Sequence, residues 1–149
     1  MKSDLIFLTT ATTRGELHNQ TIGLFYKTFE SQLKLFNLTH IVNIDLPIKL
    51  RGKFTINETR ELLNQIIPNY VKKIFIIKND ENPSFTKAYK NVIRALYDNN
   101  LYKDNCFIWW LEDDWKLISR FNFIPLLKLV EDSTPFAMSL TDNAPLCSF

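Results

Sequence analysis

The sequence predicts an α/β domain whose mostly parallel sheet is flanked by helices. Three observations carry that prediction across the 149 residues. Strand-like and helix-like patterns alternate along the chain. The strand-like runs are apolar at consecutive positions, as strands covered on both faces must be. Polar residues collect just after those runs, where ligands bind in open parallel sheets.

The first strand is "DLIFLTT", a short β-rich run. "ELHNQTIGLFYKTFESQLKLF" follows, with Ile22, Phe25, Phe29, Leu33 and Phe36 spaced by three and four, which places one apolar stripe on a helix. "LTHIVNID" is a β-branched second strand ending at Asp45. "TINETRELLNQII" reads as a helix with Thr55 or Asn57 as N-cap, Leu62, Leu63, Ile66 and Ile67 inward, and Pro68 at its end. "KKIFIIKN" supplies the third strand. The next helix, "SFTKAYKNVIRALYDNN", carries Phe85, Ala88, Val92 and Leu96 at helical spacing. "CFIWWL" is the fourth strand, a short helix begins near Pro125, and "PFAMSL" is expected as a fifth strand leading to "TDNAP". The carboxyl ends of these strands read "TTATTRGE", "NID", "KNDENPS", "LEDDW" and "LTDNAP".

Composition removes several function classes. A chain of this length that is 46% hydrophobic can bury one substantial core, so a single domain is expected. The formal charge of +2, from 18 basic and 16 acidic residues, gives no basic surface for nucleic acid. Two cysteines, Cys106 and Cys147, form neither a disulfide framework nor a zinc quartet, and Cys106 reads as a buried thiol suited to a reducing compartment. The start "MKSDLIFLTT" holds too short an apolar run for a signal peptide or a membrane span, so a cytoplasmic protein is expected. With three glycines and neither GxxxxGK[ST] nor GxGxxG, glycine-loop phosphate binding is not expected. His18 and His40 lack metal-ligand spacing and read as structural, and no GxSxG motif is present.

The segment "CFIWWLEDDWKLISRF" poses the chemical question. An apolar strand runs directly into Glu112, Asp113 and Asp114. Adjacent carboxylates repel, and more strongly beside an apolar sheet than in water. A divalent cation would offset that repulsion, and hard ions such as Mg²⁺ or Mn²⁺ favour carboxylate oxygen. In an extended segment Glu112 and Asp114 would face the site together while Asp113 points away. The competing reading is a solvated helix N-terminus, where acids suit the macrodipole.

The "WWLEDDW" stretch resembles the DxD-type motif of GT-A glycosyltransferases, with Glu112 in place of the first aspartate. "FLTTATTRGE", "NID" and "NPSFTKAYKNVIRAL" match the order of that family's nucleotide-binding half. The resemblance implies a GT-A-like (Rossmann-like) fold and a nucleotide-diphosphate sugar donor, UDP- rather than GDP-linked, held with Mn²⁺ or Mg²⁺. It also implies transfer of the sugar to a hydroxyl of a carbohydrate or glycoconjugate acceptor. Asp114 then becomes the expected metal ligand, with Glu112 as a second. Glu112 or Asp113 would contact metal-bound water, ribose or sugar. Thr9, Thr12 and Arg14 match the loop that cradles the nucleotide, and Asp45 the acid that reads the base. Ser84 is either an N-cap or a donor contact, and Lys87 would approach phosphate.

Family members continue into an acceptor-binding half, whereas this sequence stops after "TDNAPLCSF". A compact member or a donor-binding part is expected, with Asp142 as the late acid placed to act as base. A non-catalytic nucleotide-sugar-binding module and a nucleotidyltransferase-like enzyme are the alternatives. The missing Gly-rich first loop counts against the latter.

Overall fold

The computed structural model describes residues 2–46, 54–78, 82–103, 106–117 and 119–132, the last four without their side chains. The chain divides into two compact units, Met1–Ser119 and Arg120–Phe149. The first holds the sheet. Its elements are β1 (Asp4–Thr12), α1 (Leu24–Leu33), β2 (Asn37–Asp45), α2 (Ile56–Ile66), β3 (Lys72–Ile77), α3 (Phe85–Asp98) and β4 (Cys106–Trp110).

All three strand pairings are parallel, and the order is β3-β2-β1-β4. The predicted fold class is therefore the observed one. Connections from β1 to β2 and from β2 to β3 step outward to adjacent positions. The connection from β3 to β4 crosses back over two strands. Right-handed crossovers then require α1 and α2 on one face and α3 on the other.

Side-chain alternation along β1 confirms this division. Phe7 meets Phe25 and Tyr26 of α1 edge-on, at ring-centroid distances of 5.4 and 5.9 Å. Its neighbours Ile6 and Leu8 point the other way, into a cluster with Ile41 and with Val92, Ala95 and Leu96 of α3. As the central strand β1 is buried on both faces, which is why its sequence shows no polar alternation. The residues of β3 from Lys73 onward are only half-buried, as an edge position requires.

Helix starts follow local chemistry. Thr55 caps α2 by accepting from the Glu58 N–H at 3.1 Å, and its own N–H donates to the Glu58 carboxylate at 2.7 Å. Thr55 rather than Asn57 is the cap. Leu63 and Ile67 are fully buried, and Pro68 drives Ile67 out of helical geometry. Ser84 caps α3, accepting from the Lys87 N–H at 3.3 Å.

One expectation about helices is corrected. The segment after β1 does not open as a regular α-helix. It passes through a π-helical turn, Asn19–Gly23, in which the Leu24 N–H reaches back to the Asn19 carbonyl. Phe85 keeps helical spacing with Ala88 and is 62% exposed, its ring lying against Tyr89 and Trp110 at the cleft.

In the second unit, α4 (Phe123–Asp132) begins where the Asn122 carboxamide oxygen accepts from the Ile124 N–H at 3.0 Å. Pro125 falls in its first turn, where a missing N–H costs nothing. The expected fifth strand, "PFAMSL", lies outside the described residues. Among the described residues no helix is long and apolar enough to cross a membrane.

Candidate functional site

The strand order reverses between β1 and β4. Just beyond the carboxyl ends of those strands lies a cleft of about 420 Å³. Ligands bind at such switch points because the connections leave the two strands in opposite directions and open a crevice between them. Thr12 at the end of β1 and Arg14 in the loop after it line it, as do Asp45 at the end of β2, Ser84 and Phe85 at the start of α3, and the acidic motif Glu112, Asp113 and Asp114. Seven residues expected from the sequence thus come together: Thr12, Arg14, Asp45, Ser84, Glu112, Asp113 and Asp114.

The acidic knot is held together mainly by the first loop. Asp113 is only 2% exposed, and its Oδ2 accepts from the Thr12 N–H at 2.8 Å and from Arg14 Nε at 3.1 Å. The same guanidinium donates through Nη2 to Asp114 Oδ2 at 3.2 Å. Burial pushes the Asp113 pKa above its ordinary value, while the Thr12 N–H and Arg14 pull in the opposite direction. Glu112 accepts from the Trp110 indole N–H and, at 3.0 Å, from the Thr10 hydroxyl. Its pKa is also raised, chiefly by burial and further by the charges of Asp113 and Asp114.

The expectation that Asp113 points away from the site faced by Glu112 and Asp114 is corrected, since all three line the cleft. β4 ends at Trp110, so strand alternation does not extend into a motif that turns. The turn carries Asp113 inward against the first loop. Thr21, in the π-helical turn, fixes this arrangement by donating its hydroxyl to the Asp113 carbonyl at 2.8 Å. That bond gives the irregular helix start a structural purpose.

Thr9 is not in the cleft. It lies on the α1 face of β1 and is fully buried, and its hydroxyl donates to the Leu111 carbonyl. Having spent its proton there, Thr9 accepts from His40 Nε2 at 2.8 Å, so His40 Nδ1 is the acceptor for the Tyr26 hydroxyl at 3.0 Å. Burial pushes the His40 pKa down from 6.5 to about 3, which keeps this ring neutral. The Tyr26–His40–Thr9 chain ends on Leu111, the residue just before Glu112, and so anchors the motif from beneath.

Lys87 also falls outside the lining, because its ammonium donates back to the Asn82 carbonyl at 2.9 Å. Asp142, expected as the base, lies outside the described residues. His40 is the satisfied structural histidine expected of it. His18 is fully buried with Nε2 3.0 Å from the Thr12 carbonyl, while its Nδ1 meets no hydrogen-bond partner among the described residues.

Several contributors carry no motif. Thr10 and Trp110 hold Glu112. Asn43 donates to Asp45 Oδ1 at 2.9 Å and accepts from Asn91 at 2.9 Å, so an α3 side chain orients the acid at the end of β2. The one available signal was a polar asparagine inside the otherwise apolar "IVNI" of β2.

Among the described residues four carboxylates line the cleft against one guanidinium. An anionic ligand there needs a cation beside it. Among the described residues no group of three or more His, Cys, Asp and Glu side chains is arranged to hold a metal ion. The donor set nevertheless suits a hard cation that takes one or two carboxylates and completes its shell with water and phosphate oxygens. Among the described residues every hydrogen bond to the Asp113 and Asp114 side chains goes to Oδ2, which leaves both Oδ1 atoms for such a role.

Comparison with protein-family models, with curated proteins and with solved structures finds no match for this chain.

Proposed function

We propose that this chain is a metal-dependent glycosyltransferase of the GT-A type, with the cleft between β1 and β4 as its nucleotide-diphosphate sugar site. The observation that supports it is the junction of two segments distant in sequence. The end of β1 with Arg14 just after it and the motif of Glu112, Asp113 and Asp114 meet through the Arg14 guanidinium at a switch point. UDP is the favoured nucleotide, with Mn²⁺ or Mg²⁺ as the cofactor and the cytoplasm as the compartment.

In this reading Asp45, held by Asn43, accepts from the base or ribose of the nucleotide. Arg14, one-third exposed, pairs with the diphosphate beside the positive end of α3. Asp114 and Glu112 would hold the divalent ion, which when bound neutralises charge on the diphosphate leaving group. The oxygen of an acceptor hydroxyl bonds to the anomeric carbon as the bond from that carbon to the diphosphate oxygen breaks. The electron pair leaves on the nucleoside diphosphate, and the hydroxyl proton passes to a base, for which Asp142 is the proposed residue.

Calorimetric titration of UDP, GDP and their sugars, each with and without Mn²⁺, tests the reading. Binding of UDP that requires Mn²⁺ is expected. No nucleotide binding in either condition overturns it, and binding without hydrolysis or transfer makes the chain a nucleotide-sugar-binding module.

A further inference from the structure

Beside the cleft, on the α3 face of the sheet, three aromatic rings form one continuous surface. Phe85 and Tyr89 stand one helical turn apart on α3 and are 62% and 45% exposed. Trp110, the last residue of β4, lies against both. Its ring centroid is 5.1 Å from that of Tyr89 at an interplanar angle of 32°, and 6.3 Å from that of Phe85 at 65°. Ile108, two residues earlier on β4, is 43% exposed on the same side. An exposed aromatic cluster of this kind gains nothing for folding from its outward faces, and contiguous apolar surface rimmed by polar groups marks binding sites.

The cluster is continuous with the cleft at two points. Phe85 lines both, and the Trp110 indole N–H donates to the carboxylate of Glu112, which lines the cleft. A carboxylate acceptor at the edge of aromatic faces suits a ligand with an apolar C–H face and hydroxyl donors around its rim. A pyranose ring has that amphipathic form. Position separates this surface from a nucleobase site. Asp45 ends β2 and Glu112 follows β4, with β1 between them, so the two acids sit about two strand spacings, or about 10 Å, apart. Trp110 ends β4, on the far side of β1 from Asp45, and Phe85 at the start of α3 lines the cleft between them.

We propose that Phe85, Tyr89 and Trp110 form a saccharide-binding platform on which a pyranose ring stacks while its hydroxyls donate to Glu112. Its role as the acceptor subsite rests on the reading of the cleft as a nucleotide-sugar site. Saccharide binding itself does not.

Saturation-transfer NMR on the intact chain, irradiating protein aromatic protons, reads this directly. The probes are methyl glucoside, methyl galactoside, methyl mannoside, N-acetylglucosamine, lactose and maltotriose. At least one is expected to receive transfer on ring C–H protons. Tyr89→Ala, at an exposed helical position outside the cleft lining, should weaken that binding about five- to tenfold, whereas Tyr89→Phe retains it. UDP affinity in Mn²⁺ should be the same in Tyr89→Ala as in the unmodified chain, and circular dichroism confirms folding of each variant. The proposal is overturned if no saccharide of the panel binds, or if Tyr89→Ala binds it equally well. It is also overturned if Tyr89→Ala loses UDP instead, which would make the rings a base-stacking site. Saccharide binding without any UDP binding would sink the nucleotide reading and leave the platform standing.

Discussion

Arg14 is the residue on which the acidic motif depends, and its two contacts differ in kind. The Asp113 side chain is 3% exposed and that of Asp114 is 48% exposed. Removing the guanidinium strands a buried carboxylate in the first case and merely releases a solvated one in the second. Arg14→Gln should therefore destabilise the fold by about 1–2 kcal/mol in urea denaturation, with Asp113 retaining, among the described residues, only the Thr12 donors. Asp114→Asn should cost less than about 0.5 kcal/mol in the same assay. On the proposed function its effect falls on ligand binding, where UDP affinity in Mn²⁺ should fall to the metal-free level. An unchanged metal response in Asp114→Asn would remove Asp114 from the metal site. Acidification should weaken metal-dependent binding earlier than for ordinary carboxylates, because Glu112 and Asp113 take up protons at raised pH. A pH titration of UDP–Mn²⁺ affinity checks this.

At the scale of elements, the end of β4 is tied to the middle of β1 and β2 by buried polar bonds. Thr9→Val preserves shape but leaves His40 Nε2–H and the Leu111 carbonyl short of a partner. A loss of about 2–3 kcal/mol is expected by chemical denaturation. Hydrogen exchange should show the Leu111–Asp114 turn loosening more than α2. The loop after β1 has its own constraint at Gly15, whose φ of +62° is the left-handed region. An added Cβ would also fall 2.3 Å from the Phe54 ring. Gly15→Ala should cost about 1–2 kcal/mol from backbone strain, and a thermal midpoint equal to that of the unmodified chain would contradict it.

For the whole molecule, the buried histidines contribute to the acid response. His40 titrates near 3 when folded and near 6.5 when unfolded, and burial lowers His18 in the same direction. Between pH 6.5 and about 3 the unfolded chain binds protons that the folded chain refuses, so stability from these groups is present above 6.5 and drains away on acidification. The raised carboxylates Asp113 and Glu112 act in the opposite sense, since the folded form takes up protons at higher pH than the unfolded one. Comparing variants isolates the histidine contribution. The drop in urea midpoint between pH 7.5 and pH 5.5 should be smaller in His40→Gln than in the unmodified chain. Equal drops in both proteins would show that His40 does not contribute to the acid response.

The alternation of patterns, the helix stripes and the polar strand ends were legible in the sequence because they are local. Apolar period and turn chemistry report burial whatever lies opposite. The same locality made Thr12, Arg14, Asp45, Ser84 and the three consecutive acids visible, as each follows a strand or opens a helix. What the acids do with one another was not local. Alternation misplaced Asp113 because the strand ends before the motif. Thr9 looked like a loop residue until the register set it beneath His40. Helical spacing put Phe85 in line with Ala88, but only the fold shows it exposed beside Trp110. Only the strand order β3-β2-β1-β4 brings the loop after β1 against the motif after β4, about a hundred residues later. Pairing at that distance depends on which strands adjoin, and that is decided by packing of the whole sheet rather than by any segment within it.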